Sequence, residues 1–301
     1  MKPLKIILIL GFLTLGLNPI FSQRAINTHH FETSKLYLFE LQDGTQFIGN
    51  FLSRDSLNIV ISSLSIPKVE IPIGRIKHFE EVNPKNIRNG EYWFPNPNAT
   101  RYLFAPSAFT LKKGEGYYQN TYLFLNSLNV GITDHISIGG GIEFLSTFSS
   151  LSEGSFQAVV FITPKIGFQV AEKVHIGAGL LYASIPDMLA TERSGVGVAY
   201  GMGTYGTQEH NLTVGLGWGF IEKEFSSKPF VVISGMTRTG RKTALVTENW
   251  FVPADPYVGI ISYGIRFFGE KLTVDLALIN NRDIAEEFII GIPYVDFVVK
   301  F

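Results

Sequence analysis

Gly291-Ile-Pro-Tyr-Val-Asp-Phe-Val-Val-Lys-Phe301 ends the chain, and its reading decides the fold. Val295, Phe297, Val299 and Phe301 alternate with Asp296, Val298 and Lys300, so an extended strand here has one oily face and one partly charged face. Chain termini ordinarily fray and tolerate polarity. An alternating apolar end whose last residue is aromatic predicts a strand with a structural task.

The alternation recurs upstream. Ile136, Ile138, Ile142 and Phe144 oppose Ser137, Gly139, Gly141 and Glu143. Leu212, Val214, Leu216, Trp218 and Phe220 oppose Asn211, Thr213, Gly215, Gly217 and Gly219. Leu272, Val274, Leu276 and Leu278 oppose Lys271, Thr273, Asp275 and Ala277. A sandwich core also alternates, but its outer face is usually rich in Lys, Glu and Thr. Here the second face is rich in glycine, which favours a barrel. In the glycine-rich run Gly195–Gly203, Val196, Val198, Tyr200 and Met202 are expected to face outward.

The turns agree. Short polar ones at Thr133–His135, Ala171–Lys173, Thr207–His210, Thr239–Lys242 and Gly269–Lys271 recur at intervals of roughly 30 to 38 residues. Longer connections lie between them, near Phe148–Ser155, Pro186–Ser194, Glu222–Lys228, Pro253–Pro256 and Asn280–Glu286. Counting from Arg101 predicts about twelve antiparallel strands. Pro106 interrupts the first, Arg101–Leu111, which makes about ten the alternative.

The 301 residues are 46% hydrophobic and 17% charged, yet no apolar run beyond the N-terminus is long enough for a membrane helix. High apolarity without long apolar runs is what membrane-spanning strands produce. A net charge of −1 offers no bulk attraction for nucleic acid. The absence of cysteine excludes disulfides, thiol chemistry and a lipoprotein anchor. Lys2 and Lys5, the apolar stretch Ile6–Leu17 and Ser22 read as a secretory signal over residues 1–23.

A polar tail (24–34) leads into a module at 35–82, where five short strands and the turn Gln42-Asp43-Gly44-Thr45 predict a small β domain. The Asp-Gly turn, Gly49 and Asp55 resemble the Sm-like pattern, and an SH3-like or Sm-like periplasmic interaction module is expected. Residues 83–100, rich in Asn and Pro, are expected to be a linker. Residues 101–301 are expected to form the barrel.

The signal, the hairpin rhythm, the aromatic placement and Phe301 resemble bacterial outer-membrane β-barrel proteins. That resemblance implies an all-β chain whose barrel sits in outer-membrane lipid, with the N-terminal domain in the periplasm. It also implies that Val295, Phe297, Val299 and Phe301 are the signal read by the barrel-assembly machinery. Tyr118, Tyr182, Trp218, Tyr257, Tyr263 and Phe301 would form interfacial girdles.

The register turns Glu143, Lys165, Glu248, Arg266, Asp275, Asp296 and Lys300 toward the lumen, since a charge facing lipid near the midplane costs roughly 2–4 kcal/mol. They either line a polar passage or pair across a filled interior. The inward glycines allow strand curvature, or leave room for a solute or a loop plug. His135 and Ser137, two residues apart, have the spacing of a base and a nucleophile on one face. They stand at a short turn without a matching third residue, so no catalytic residue is assigned. No metal site or cofactor is expected. Two functions stay open. One is a channel or transporter for small solutes. The other is an interaction protein whose filled barrel anchors a module that holds a periplasmic protein partner.

Overall fold

The computed structural model describes residues 29–63, 66–145, 147–148, 158–186 and 193–301. The expected signal, and most of the tail after it, lie outside the described residues. The chain divides into two compact units, residues 1–93 and 94–301.

The first unit is an antiparallel sheet of β1 (Leu36–Leu41), β2 (Gln46–Arg54), β3 (Asn58–Ser63), β4 (Val69–Pro72) and β5 (Ile76–Val82). Their order across the sheet is β4-β3-β2-β1-β5. Gly44 supplies the left-handed φ of +82° that the β1–β2 turn requires. The Asp43 carboxylate accepts from the Thr45 N–H at 3.0 Å and so fixes that turn. Phe31, Tyr37, Phe39, Ile59, Ile61 and Ile71 bury one face as a continuous core. Asn83–Trp93 belongs to this unit. There β6 (Ile87–Arg88) and β7 (Glu91–Tyr92) pair as a small hairpin.

The second unit is a closed antiparallel barrel. Its strands begin with β8 (Gly116–Thr121), β9 (Leu125–Gly131), β10 (Ile136–Glu143) and β11 (Val159–Ala171). They continue with β12 (Val174–Pro186), β13 (Arg193–Gly206) and β14 (His210–Ile221), onto whose end β15 (Glu224–Phe225) folds back. The circuit is completed by β16 (Phe230–Arg238), β17 (Thr243–Val252), β18 (Val258–Phe268), β19 (Leu272–Asn280) and β20 (Ile292–Lys300). Setting β15 aside, 12 strands form the wall, because β20 pairs with β8 from Asp296↔Thr121 to Lys300↔Tyr117. Phe301 extends the seam, exchanging backbone hydrogen bonds with Gly116 at 2.8 and 3.0 Å. Closure leaves no unpaired sheet edge.

The strand number agrees with expectation, but the membership does not. Arg101–Leu111 is not a strand of the wall. The first hairpin is Gly116–Gly131, which turns at Tyr122 and Leu123 with φ of 53° and 68°. A sharp turn made without glycine leaves little trace in the sequence. Residues 83–100 are not a free linker either, since Asn96, Asn98, Ala99 and Thr100 are buried in the second unit.

A second correction concerns β13. Val198, Tyr200 and Met202 face the interior, while Ala199, Gly201 and Gly203 face outward. Neighbouring β12 explains the choice. A Cβ on inward Gly179 would lie 2.4 Å from the Tyr200 hydroxyl, and one on Gly177 would lie 3.1 Å from Met202 Cε. The bulky residues of β13 fill the space those glycines leave.

Elsewhere the pleat follows the expected register. Ile138, Val214, Ile265 and Leu276 point outward and are 42–50% exposed. Their strand neighbours Ser137, Thr213, Arg266 and Asp275 are buried within the barrel.

Candidate functional site

The candidate site is the barrel interior, and its central element is residues 94–111. This segment enters near the short-turn end, where Asn96 Nδ2 donates to the Gln208 carbonyl at 2.8 Å. There Arg238 of β16 also donates to the Phe94 carbonyl at 2.8 Å while pairing with Glu209 at 2.8 Å. The segment then climbs, turns back, and descends to the same end, where Thr110 Oγ1 donates to the Asp134 carbonyl at 2.7 Å. Its two arms hold each other through Tyr102 N–H to Ala105 O at 2.8 Å and Ser107 N–H to Thr100 O at 3.0 Å. It is a re-entrant hairpin with its apex at Leu103–Ala105.

Four of the wall charges expected to line a pore bind this hairpin instead. Glu248 on β17 accepts three consecutive N–H groups on one carboxylate oxygen, from Leu103 (2.9 Å), Phe104 (3.0 Å) and Ala105 (2.8 Å). Successive backbone N–H groups turned toward one point make an anion-binding concavity, and here the anion comes from the wall. Arg266 on β18 grips Asp275 on β19 bidentately, at 2.7 Å to each oxygen. Its remaining donors reach the carbonyls of Asn98 (2.6 Å), Arg101 (3.2 Å) and Tyr102 (2.8 Å). All five guanidinium donors are therefore used.

Lys165 on β11 gives its ammonium to three hairpin carbonyls, Thr100 (3.2 Å), Ser107 (3.1 Å) and Phe109 (2.6 Å). Asp296 on β20 receives the hairpin's own cation, Arg101, at 2.5 Å, with the Tyr294 hydroxyl at 2.8 Å on the same oxygen. Buried charges must be paired or fully hydrogen-bonded, and these walls obtain much of what they need from the hairpin rather than across the lumen.

Two predicted residues lie outside this network. Glu143 is half-buried at the loop end of β10 and accepts from the Leu145 N–H. Lys300 pairs with Glu115 at 3.1 Å near the short-turn end. In the terminal strand, Val295 and Val299 face outward, and Phe301 is 55% exposed. His135 and Ser137 do not come together. The imidazole packs against outward Phe168, ring centroids 5.0 Å apart, whereas Ser137 faces the interior.

The hairpin is not among the elements the sequence predicts. Its signal was the failure of alternation at Tyr102-Leu103-Phe104-Ala105, where four apolar residues follow one another. A barrel strand with one wet face does not do this. The close fit of the hairpin also depends on glycine. A Cβ on Gly167 would stand 2.6 Å from the Ala108 carbonyl oxygen.

Beside the apex a cavity of about 250 Å³ remains, lined by hairpin residues and by inward residues of the wall from β8 round to β17. The hairpin thus blocks the short-turn half of the lumen without filling the whole of it.

No family model and no curated protein sequence matches the chain. Among solved structures it is similar to a KdgM porin in complex with disordered oligogalacturonate, with 7% identity and a TM-score of 0.42, covering 62% of this chain and 95% of that one. It is similar to a NanC porin with 7% identity and a TM-score of 0.37, covering 62% and 97%. A loop L8 deletion mutant of OmpT, an outer membrane protein of Vibrio cholerae, has 11% identity and a TM-score of 0.29, covering 89% and 96%. Such values carry no activity from one barrel to another.

Proposed function

We propose that this protein is an outer-membrane β-barrel that passes small solutes, with residues 94–111 as a plug that must shift before they cross. The location is supported by the outward apolar band, because soluble proteins rarely expose so much contiguous apolar surface. Transport is supported by one observation above others, the chemistry of the hairpin's attachment. It is held through Glu248, Arg266, Lys165 and Asp296, largely by hydrogen bonds to its backbone. Water can take the place of such bonds at a net cost of roughly 0.5–1.5 kcal/mol each. Apolar packing of equal extent has no such substitute. The cavity beside the hairpin gives a solute somewhere to wait.

A filled anchor is the second reading, favoured by the saturation of Arg266 and Lys165. On either reading the N-terminal module, with its Sm-like pattern, lies in the periplasm after cleavage of the signal and holds a protein partner there. The opposed faces of His135 and Ser137 lend no support to catalysis.

Conductance in planar bilayers separates the two. The full chain should be closed most of the time, and an Arg101→Ala, Glu248→Ala double variant should give stable single-channel steps. Silence from both proteins would reject transport in favour of the anchor.

A further inference from the structure

A lumen that carries hydrophilic solutes is lined by polar side chains. Much of the space left beside the hairpin is lined otherwise. Phe161 of β11, Leu181 of β12, Val198 of β13, Phe230 of β16 and Trp250 of β17 turn into it, and Phe104 meets them from the hairpin. Phe104 is 46% exposed and Leu181 39%, although both lie inside the barrel. Apolar surface left uncovered in a concave place marks a site for an apolar occupant.

Inward glycines let the rings line this space instead of crossing it. A Cβ on Gly141 would lie 2.8 Å from Phe161 Cε1, and one on Gly217 would lie 2.8 Å from Phe230 Cε1. Each ring therefore folds down over a bare stretch of wall. Polar groups nearby are engaged elsewhere. Asn129 Nδ2 donates to Ser127 Oγ at 3.2 Å, and the indole N–H of Trp250 donates to Glu248 at 2.7 Å. Among the described residues lining the space, the charged ones are Arg101 and Lys165. The Arg101 guanidinium is buried in its pair with Asp296, and the Lys165 ammonium gives its donors to three hairpin carbonyls. Neither presents a donor to a solute. Size narrows the occupant further. The space of about 250 Å³ exceeds the roughly 150 Å³ apolar cavity that takes up benzene. It falls short of the roughly 300 Å³ at which sites for larger organic ligands begin.

The geometry points to a binding site for a small, uncharged aromatic molecule, one benzene ring with a short apolar substituent. Its ring packs edge-to-face or offset against Phe104 and against the Phe230–Trp250 pair, whose centroids are 5.4 Å apart. A carboxylate on the same ring would shed its water and find no donor in exchange, so acids are turned away. Phe104 belongs to the hairpin and Trp250 bonds Glu248, so the ligand touches both the hairpin and its anchor. As a transported class this rests on the transport reading, but as a binding site it stands without it.

The test uses the full chain in detergent micelles, with Trp93→Phe and Trp218→Phe leaving Trp250, a cavity residue, as the fluorescent reporter. Bromobenzene, a heavy-atom quencher, should quench Trp250 saturably, and toluene, which does not quench, should displace it. 4-Bromobenzoate should bind at least about tenfold more weakly. Leu181→Arg, which sets a cation in the apolar wall at an exposed position, should abolish saturation. Ser127→Phe, which fills the space from the other side, serves the same purpose should the first variant fail to fold. Quenching that rises linearly, as partition into the micelle alone would give, overturns the proposal. So do failure of toluene to compete, equal affinity for the acid, and saturation indifferent to both substitutions. Uptake of toluene by cells with and without the protein then separates site from passage. Saturable quenching with faster uptake supports both. Saturable quenching with equal uptake supports the site and refutes transport of this class. Faster uptake without saturable quenching overturns the site while leaving transport standing.

Discussion

Glu248→Ala is the sharpest perturbation of the plug. In the native barrel one Glu248 oxygen accepts from the N–H groups of Leu103, Phe104 and Ala105 at 2.8–3.0 Å. Truncation leaves three donors unmet inside the barrel, those of Leu103 and Ala105 buried and that of Phe104 part-buried, which sums to roughly 3–9 kcal/mol against the seated hairpin. Water entering the vacated space re-solvates part of them, so the lower end applies. In the withdrawn state the same N–H groups are hydrated and nothing is lost. At about 1.4 kcal/mol per tenfold change, a loss of ~3 kcal/mol raises the withdrawn population roughly 150-fold.

The chain has no cysteine, so a single Ser107→Cys, at a position that is fully buried, reports exposure cleanly. Where reclosing outpaces labelling, the rate of reaction with a charged, water-soluble maleimide follows the withdrawn population. It should rise by about two orders of magnitude in Glu248→Ala. Glu248→Gln, which keeps an acceptor oxygen, should lie between the two. A rate within about threefold of the parent, in protein whose barrel still migrates as folded on unheated gels, would refute the assignment of Glu248 as the hairpin's anchor.

Other expectations follow from the same contacts. Gly167→Val places a Cβ against the Ala108 carbonyl, so it should raise Ser107→Cys labelling while leaving strand content by circular dichroism unchanged. Removal of Phe301, which completes the seam with Gly116, should lower the amount of folded barrel in the outer membrane, measured by heat-modifiable migration. In the N-terminal module the N–H groups of Leu57 and Asn58 hold the Asp55 carboxyl below its ordinary range. Its stabilising effect is therefore present above that range and is lost as pH falls below it, through the lower folded-state value. The urea midpoint of the module's transition should be lower in Asp55→Asn than in the parent at neutral pH. The difference should vanish once the carboxyl is protonated.

Much of the barrel was legible because a strand is a local object. Pleating sends Leu212, Val214 and Leu216 one way and Asn211, Thr213 and Gly215 the other, whatever the rest of the chain does. Short polar turns mark where each hairpin reverses, and the closing strand announces itself through Val295, Phe297 and Val299. The inward direction of Lys165, Glu248, Arg266, Asp275 and Asp296 followed as well, since lipid would not accept them. Where alternation was ambiguous, as in β13, the outcome depended on which neighbour carried glycine opposite Tyr200 and Met202. That is a relation between strands and has no local sign.

What those charges touch was decided by the tertiary structure alone. The hairpin groups that Glu248, Lys165 and Arg266 hold are backbone groups of residues 98–109, and a backbone N–H or carbonyl is the same in every sequence. Only closure of the barrel around the hairpin brings Glu248 within 3.0 Å of Leu103, Phe104 and Ala105, some 145 residues away along the chain. The sequence by itself determined an antiparallel wall of about twelve strands, without its correct first member, and charges turned inward. The closed wall decided that those charges hold the hairpin, because a buried charge must find partners and the hairpin carried the donors and acceptors within reach.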